Sequence, residues 1–175
     1  MTNIETFEEG VRTRTVSWPD PARGRFSLRD RDGYDQLRAF ARGNVGPAPV
    51  TALLGMQLDS VHRGRVVFSL VADEMHENPM GTMHGGVIAT LLDSAMGCAV
   101  MSMLPAGTTW TTLELKANYV RPIVQTTGAV RAEGRVVHLG TTVATAEAML
   151  SDDTGTLYAH ASSTCLLKRR AGGAA

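Results

Sequence analysis

The sequence predicts an α+β domain in which one long apolar helix is wrapped by an antiparallel β-sheet. Three observations lead there. Only one stretch in the body of the chain, Gly85 to about Met103, carries a sustained helical period, and it is apolar enough to need a sheet around it. Six other stretches read as strands, two before the helix and four after it. The connections between them are short and hold no further helical period, so neighbouring strands must pair through hairpins rather than through crossover helices. At 175 residues the chain fits one ordinary domain.

Residues 1–33 mix Arg, Asp, Gly and Pro without an apolar period, as in Trp18-Pro19-Asp20-Pro21, and read as a flexible extension. A short helix is expected at Tyr34 to Arg42, where Leu37 and Phe40 share one side before Gly43-Asn44-Val45-Gly46-Pro47. The extension is placed at residues 1–49, the domain at 50–170 and a flexible tail at 171–175. Met56 to Val61 is a weak first strand and Arg65 to Val71 a second. In the helix, Ile88, Leu91, Leu92, Ala95, Cys98 and Ala99 share a face, and Pro105 lies just past the end. Leu113, Leu115, Ala117 and Tyr119 then alternate with Glu114, Lys116 and Asn118, of which Glu114 and Lys116 read as a solvated or interface pair; Val130 to Val136 alternates likewise. Thr141 to Leu150 and Thr156 to Leu167 complete the sheet, joined by a tight turn at Asp152-Asp153-Thr154-Gly155.

Seventeen basic residues balance seventeen acidic ones, which removes the bulk electrostatic footprint of a nucleic-acid binder. Aromatic residues are only 5%, too few for base-stacking platforms. Cys98 and Cys165 form no C-x-x-C pair, and His62, His76, His138 and His160 show no metal-ligand spacing, so neither a metal nor a resident cofactor is expected. The acidic start lacks a secretory pattern, and Val87 to Leu104, though apolar, carries Asp93 and no flanking basic bias. The expected compartment is the cytoplasm, with no membrane partner.

The chemistry concentrates in His76-Glu-Asn-Pro-Met-Gly-Thr-Met-His84-Gly85-Gly86 and the helix that follows. Paired glycines at a helix mouth leave backbone N–H groups open, which is the outline of an oxyanion hole. Asp93 is a carboxylate about two turns into an apolar helix, so it needs either a polar partner, such as a facing hydroxyl, or a chemical task. Eight residues separate Gly85 from Asp93, ~12 Å along one helix, too far for both to serve one small reacting centre. Two antiparallel copies of the helix across a two-fold axis would bring Gly85 of one opposite Asp93 of the other. A homodimer with two composite sites is therefore expected.

The pattern Asn78-x-x-Gly81-x-x-His84-Gly85-Gly86, then Leu92-Asp93, then Leu113 to Tyr119-Val120-Arg121-Pro122, resembles the hot-dog-fold acyl-CoA thioesterases of the phenylacetate-pathway (PaaI-like) type, over about residues 50–168. The resemblance implies a hot-dog fold and hydrolysis of an acyl-CoA, with aryl-acetyl or medium-chain acyl groups as first candidates. By position it makes the Gly85 N–H the group that polarises the thioester carbonyl and Asp93 the nucleophile or the general base on water. It makes Asn78 an orienting side chain, His84 a support for the loop and Thr112, with Thr111 beside it, a water-positioning hydroxyl. For coenzyme A it points to Gly86, to Arg121 and Pro122, and to the His138-Leu139-Gly140-Thr141 turn; coenzyme A is then part of the substrate. It also suggests a homotetramer built from two dimers.

Lys168, Arg169 and Arg170 form a basic end that reads as a solvated tail or as a second meeting point for phosphate. Two rival functions remain at this level. A hydratase on the same fold would need a His at the reacting carbon, and His84 precedes the glycines. A non-catalytic acyl-CoA sensor would need an output module, and one short helix before residue 50 is too little for that.

Overall fold

Why one helix and six strands close into a single layer pair is visible at Gly134. The computed structural model describes residues 10–28 and 30–169, in the order α1 (Pro21–Leu28), α2 (Gly33–Ala41), α3 (Pro49–Leu54), β1 (Gln57–His62), β2 (Arg65–Val71), α4 (Gly85–Met101), β3 (Thr108–Tyr119), β4 (Ala129–Leu139), β5 (Val143–Asp152) and β6 (Leu157–Arg169). The six strands form an antiparallel sheet in the order β1-β2-β4-β5-β6-β3, curved around α4. A Cβ on Gly134 would sit 2.3 Å from the Ala95 carbonyl oxygen, so β4 crosses α4 where only glycine fits. The same close approach explains the small inward residues of β4, β5 and β6, where Ala132, Ala144, Ala146, Ala148, Ala159 and Ala161 are all buried. Leu91, Leu92, Ala95, Met96, Ala99 and Val100 of α4 have no exposed surface.

Arg65–Val71 is the strand the alternation predicts, and α4 ends at Met101, two residues before the expected end. Asp152 and Gly155 close the β5–β6 turn as expected, with Gly155 at φ 83. Two expectations shift. β3 begins at Thr108, ahead of the alternation that starts at Leu113, and Leu113 does not continue the buried set because a bulge between Thr112 and Glu114 puts it out to solvent at 57% exposure. Trp110, Thr112, Leu115 and Ala117 form the half-buried set instead.

The segment before residue 50 differs most from its reading as a flexible extension. It contains α1 as well as α2, and α1 starts where the Asp20 carboxylate accepts from the Ala22 N–H at 2.8 Å with Pro21 in the first turn. α2 starts with its backbone on α4: the Gly33 N–H donates to the Leu104 carbonyl at 3.0 Å, and a Cβ on Gly33 would overlap the Met101 carbonyl oxygen. Asp32 caps α2 through the Asp35 N–H and pairs with Arg63 at 2.7 Å, whose guanidinium lies 4.7 Å from the Tyr34 ring centre. Upstream, Arg12 pairs with Glu74, Arg14 meets the Met75 sulfur and Pro19 packs on Gly46. Arg170 and the tail 171–175 lie outside the described residues, whereas Lys168 and Arg169 are the last residues of β6, paired with Thr109 and Thr108.

Candidate active site

The loop entering α4 is built as a rigid cradle. Met83 N–H donates to the Ile123 carbonyl at 2.8 Å and His84 N–H to the His76 carbonyl at 2.7 Å, while the buried His76 ring meets the Leu54 carbonyl through Nε2 at 3.0 Å. His84 is the N-cap. Its Nδ1 accepts from the Gly86 N–H at 2.9 Å and its carbonyl takes the Val87 N–H. The Gly85 N–H has no acceptor among the described residues, and it points out of the positive end of a 17-residue helix. Gly85 is itself fixed, because the Tyr119 hydroxyl donates to its carbonyl at 3.1 Å and the Tyr119 ring lies where a Cβ would make ordinary contact. Sequence reasoning placed Tyr119 among the strand's apolar residues and missed this role.

Asn78 is turned into its own loop. Its side-chain NH₂ donates to Thr82 Oγ1 at 2.9 Å and its Oδ1 accepts from the Met80 N–H at 2.9 Å, around a turn that places Gly81 at φ 74. In this arrangement it shapes the cradle rather than presenting a free amide.

Asp93 lies two turns further along α4, half-buried, with Oδ1 accepting from the Thr112 hydroxyl at 2.9 Å. Oδ2 has no partner among the described residues. The hydroxyl on β3 is the polar partner that a carboxylate on an apolar helix requires, and the bulge just after Thr112 keeps it on the helix-facing side.

Asp93 lines a cavity of about 950 Å³. One wall is α4, through Asp93, Ser94, Gly97, Cys98 and Met101; the facing wall is α2 with the loop that follows it. Trp110 closes one side, its indole nitrogen 3.0 Å from where a Gly97 Cβ would stand. The Cys98 thiol is pushed up to about 12 by burial and then by the Asp93 carboxylate, so at neutral pH it is an uncharged part of the wall.

The positions the resemblance assigns to coenzyme A are not brought together within one chain. Arg121 and Pro122 follow β3 at the Gly85 end of the sheet, where Arg121 donates to the Leu157 carbonyl at 2.6 Å. His138, Gly140 and Thr141 lie at the other end, beside the residues that pair with the start of β3. The two groups are about 30 Å apart along the strands. Among the described residues no three His, Cys, Asp or Glu side chains gather where a metal ion could sit, and no helix is long and apolar enough to cross a membrane.

The profile of the thioesterase superfamily matches residues 80–159. A candidate esterase of Halobacterium salinarum is 31% identical over 118 residues, which cover 65% of this chain and 76% of the relative. The chain belongs to the thioesterase superfamily. Its hot-dog fold is shared with a crystal structure of a candidate thioesterase related to phenylacetic acid degradation from Ralstonia eutropha, at 30% identity and TM-score 0.67 over 74% of this chain and 98% of that one. A 1,4-dihydroxy-2-naphthoyl-CoA hydrolase of Listeria monocytogenes is 26% identical over 67% of this thioesterase-family chain and 94% of its own length. The matched residues 80–159 include Gly85, Asp93, Thr112 and Tyr119, whereas α1, α2 and α3 lie outside them.

Proposed function

We propose that the protein hydrolyses an acyl-CoA thioester at a site shared by two copies of the chain. One observation carries this: Asp93 is held by Thr112 at the edge of an apolar cavity, while the open Gly85 N–H lies eight residues away on the same helix. Those groups are ~12 Å apart along the axis, so each needs its counterpart from a second helix. β3 supplies a means of pairing, since among the described residues it ends the sheet and leaves one side of a 12-residue strand without a neighbouring strand. Two β3 strands joined antiparallel continue the sheet across a two-fold axis and set Gly85 of one copy against Asp93 of the other.

In that site the thioester carbonyl oxygen accepts from the Gly85 N–H of one copy, and charge developing on it is met by the helix N-terminus. Asp93 of the other copy either takes a proton from a water whose oxygen attacks the carbonyl carbon, or attacks that carbon itself to give an anhydride that water then hydrolyses. The carbonyl–sulfur bond breaks, coenzyme A leaves as the thiol after taking up a proton, and the acid is released. Across the same axis Arg121 and Pro122 of one copy approach the start of the other copy's β3, near its His138–Thr141 turn, which reunites the two groups assigned to coenzyme A.

The test is free-thiol release from a panel of acyl-CoAs by the wild type and by Asp93→Asn. Release by the wild type and a loss of at least a thousandfold in the folded variant support the proposal. Equal rates in both, or no release from any thioester by the wild type, overturn it.

A further inference from the structure

We infer that Glu114 and Lys116 set the register in which two copies of the chain pair, with Leu115 on the two-fold axis and Glu114 of each copy opposite the partner's Lys116. The inference rests on the two-copy reading of the site and adds to it the contact by which one copy recognises another.

β3 carries the marks of a strand that is covered. It ends the sheet among the described residues, and Leu113 and Tyr119 on it and Val120 just after it are 57%, 51% and 47% exposed. Open backbone groups beside exposed apolar side chains make an edge strand a template for another strand. Past the bulge, Glu114 to Tyr119 pairs residue for residue with Thr164 to Ala159, so alternation is regular there. Leu115 and Ala117 pack on the core side, whereas Glu114 and Lys116 are exposed on the outer face. Neither charge has an ion-pair partner among the described residues, and Glu114 accepts from the Thr164 hydroxyl at 2.8 Å.

Geometry narrows the axis to two residues, and charge chooses between them. Thr112 holds Asp93 and Tyr119 touches Gly85, so Gly85 set against the partner's Asp93 places Tyr119 near the partner's Thr112. The midpoint of the strand between those contacts falls at Leu115 or Lys116. Directly opposed side chains share one face of a sheet, so a two-fold axis perpendicular to it passes where a residue meets its own copy. An axis at Lys116 sets two ammonium groups against each other, which destabilises the pairing. An axis at Leu115 puts Glu114 opposite the partner's Lys116 on both sides of it, and the two Leu115 side chains meet on the helix side. A slip the other way, to Glu114, sets two carboxylates against each other. The two charges thus favour one register and oppose its neighbours on either side.

The test is how variants sort. Wild type, Glu114→Lys, Lys116→Glu and the double variant carrying both changes are given different isotope labels, unfolded in urea, mixed in equal pairs, refolded and weighed by native mass spectrometry. Circular dichroism verifies that each has folded. Random pairing makes about half of the dimers mixed. Glu114→Lys with Lys116→Glu should give above about four-fifths mixed dimers, because only the mixed dimer has opposite charges at both contacts. Wild type with the double variant should give below about one-fifth, because there the mixed dimer sets like charges against each other. A mixed fraction of about half in either experiment overturns the register and leaves the two-copy site intact. A wild type that weighs as a monomer removes the two-copy reading and the register with it.

Discussion

Thr112 on β3 donates its hydroxyl to Asp93 Oδ1 on α4 at 2.9 Å, and this single contact joins the strand that ends the sheet to the one carboxylate on the central helix. Oδ1 is thereby oriented, Oδ2 has no protein partner among the described residues, and Asp93 lines the cavity. Thr112→Val keeps the shape and removes the donor. The expected result is a fall in kcat of about tenfold with Asp93 still present, following a charge-assisted hydrogen bond worth ~1.5 kcal/mol. Steady-state thiol release measures it; an unchanged kcat would mean that Asp93 is oriented by other means.

Tyr119 touches Gly85, and under the proposed mechanism its effect is exerted through that residue. Its hydroxyl donates to the Gly85 carbonyl, so Tyr119→Phe frees the first residue of α4 while leaving the ring packed against it. A neutral hydrogen bond contributes ~1 kcal/mol, and kcat should fall about fivefold with little change in KM. A change confined to KM would place the residue in binding instead.

The crossing of β4 over α4 predicts the largest loss of stability. Gly134→Ala forces a methyl group to within 2.3 Å of the Ala95 carbonyl oxygen, a backbone atom that cannot swing aside. Urea denaturation should show a loss of roughly 3 kcal/mol. Gly43→Ala, by contrast, meets no atom within 4 Å and carries only the strain of a glycine at φ 72.

The β5–β6 turn predicts a pH dependence. The Thr154 hydroxyl, then the Tyr158 hydroxyl and the Thr156 and Thr154 backbone N–H groups, hold the Asp152 carboxyl at about 2, below the ordinary 3.8. A carboxylate with a lowered folded value stabilises the fold above the unfolded value, and that contribution disappears as pH falls from about 4 through about 2. Asp152→Ala should therefore be less stable than wild type at pH 7, with the gap closing across that window. Thermal melts at pH 7, 4 and 2 read it; a gap that stays constant would remove the turn from the acid response.

Much of this was legible from residue types alone. Asp93 announces itself because hydrocarbon on an apolar helix cannot satisfy a carboxylate, and the eight-residue step back to Gly85 is what raises the expectation of a second copy. The resemblance makes Thr112 a water-positioning hydroxyl, and its contact with Asp93 Oδ1 is something the structure adds. The bulge at Leu113 was hidden, since an extra residue in one strand interrupts alternation without any mark in the sequence. α1 carried the signal of Asp20 followed by Pro21, yet its low amphipathicity masked it. The cavity was illegible because its wall on α2 depends on where Gly33 meets Met101, a contact between residues 68 positions apart.

The shared site is tested most directly by mixing two inactive proteins. Gly85→Pro deletes the N–H at the first helical position, where proline is accommodated and where His84 already has the extended backbone that precedes proline. Asp93→Asn deletes the carboxylate. Each homodimer has two defective sites. After random re-pairing of equal amounts, half of the dimers are mixed and each has one intact site, so thiol release should recover to about one quarter of wild type. A mixture that remains as inactive as its components, with exchange of subunits verified by mass, would contradict a site built from two chains.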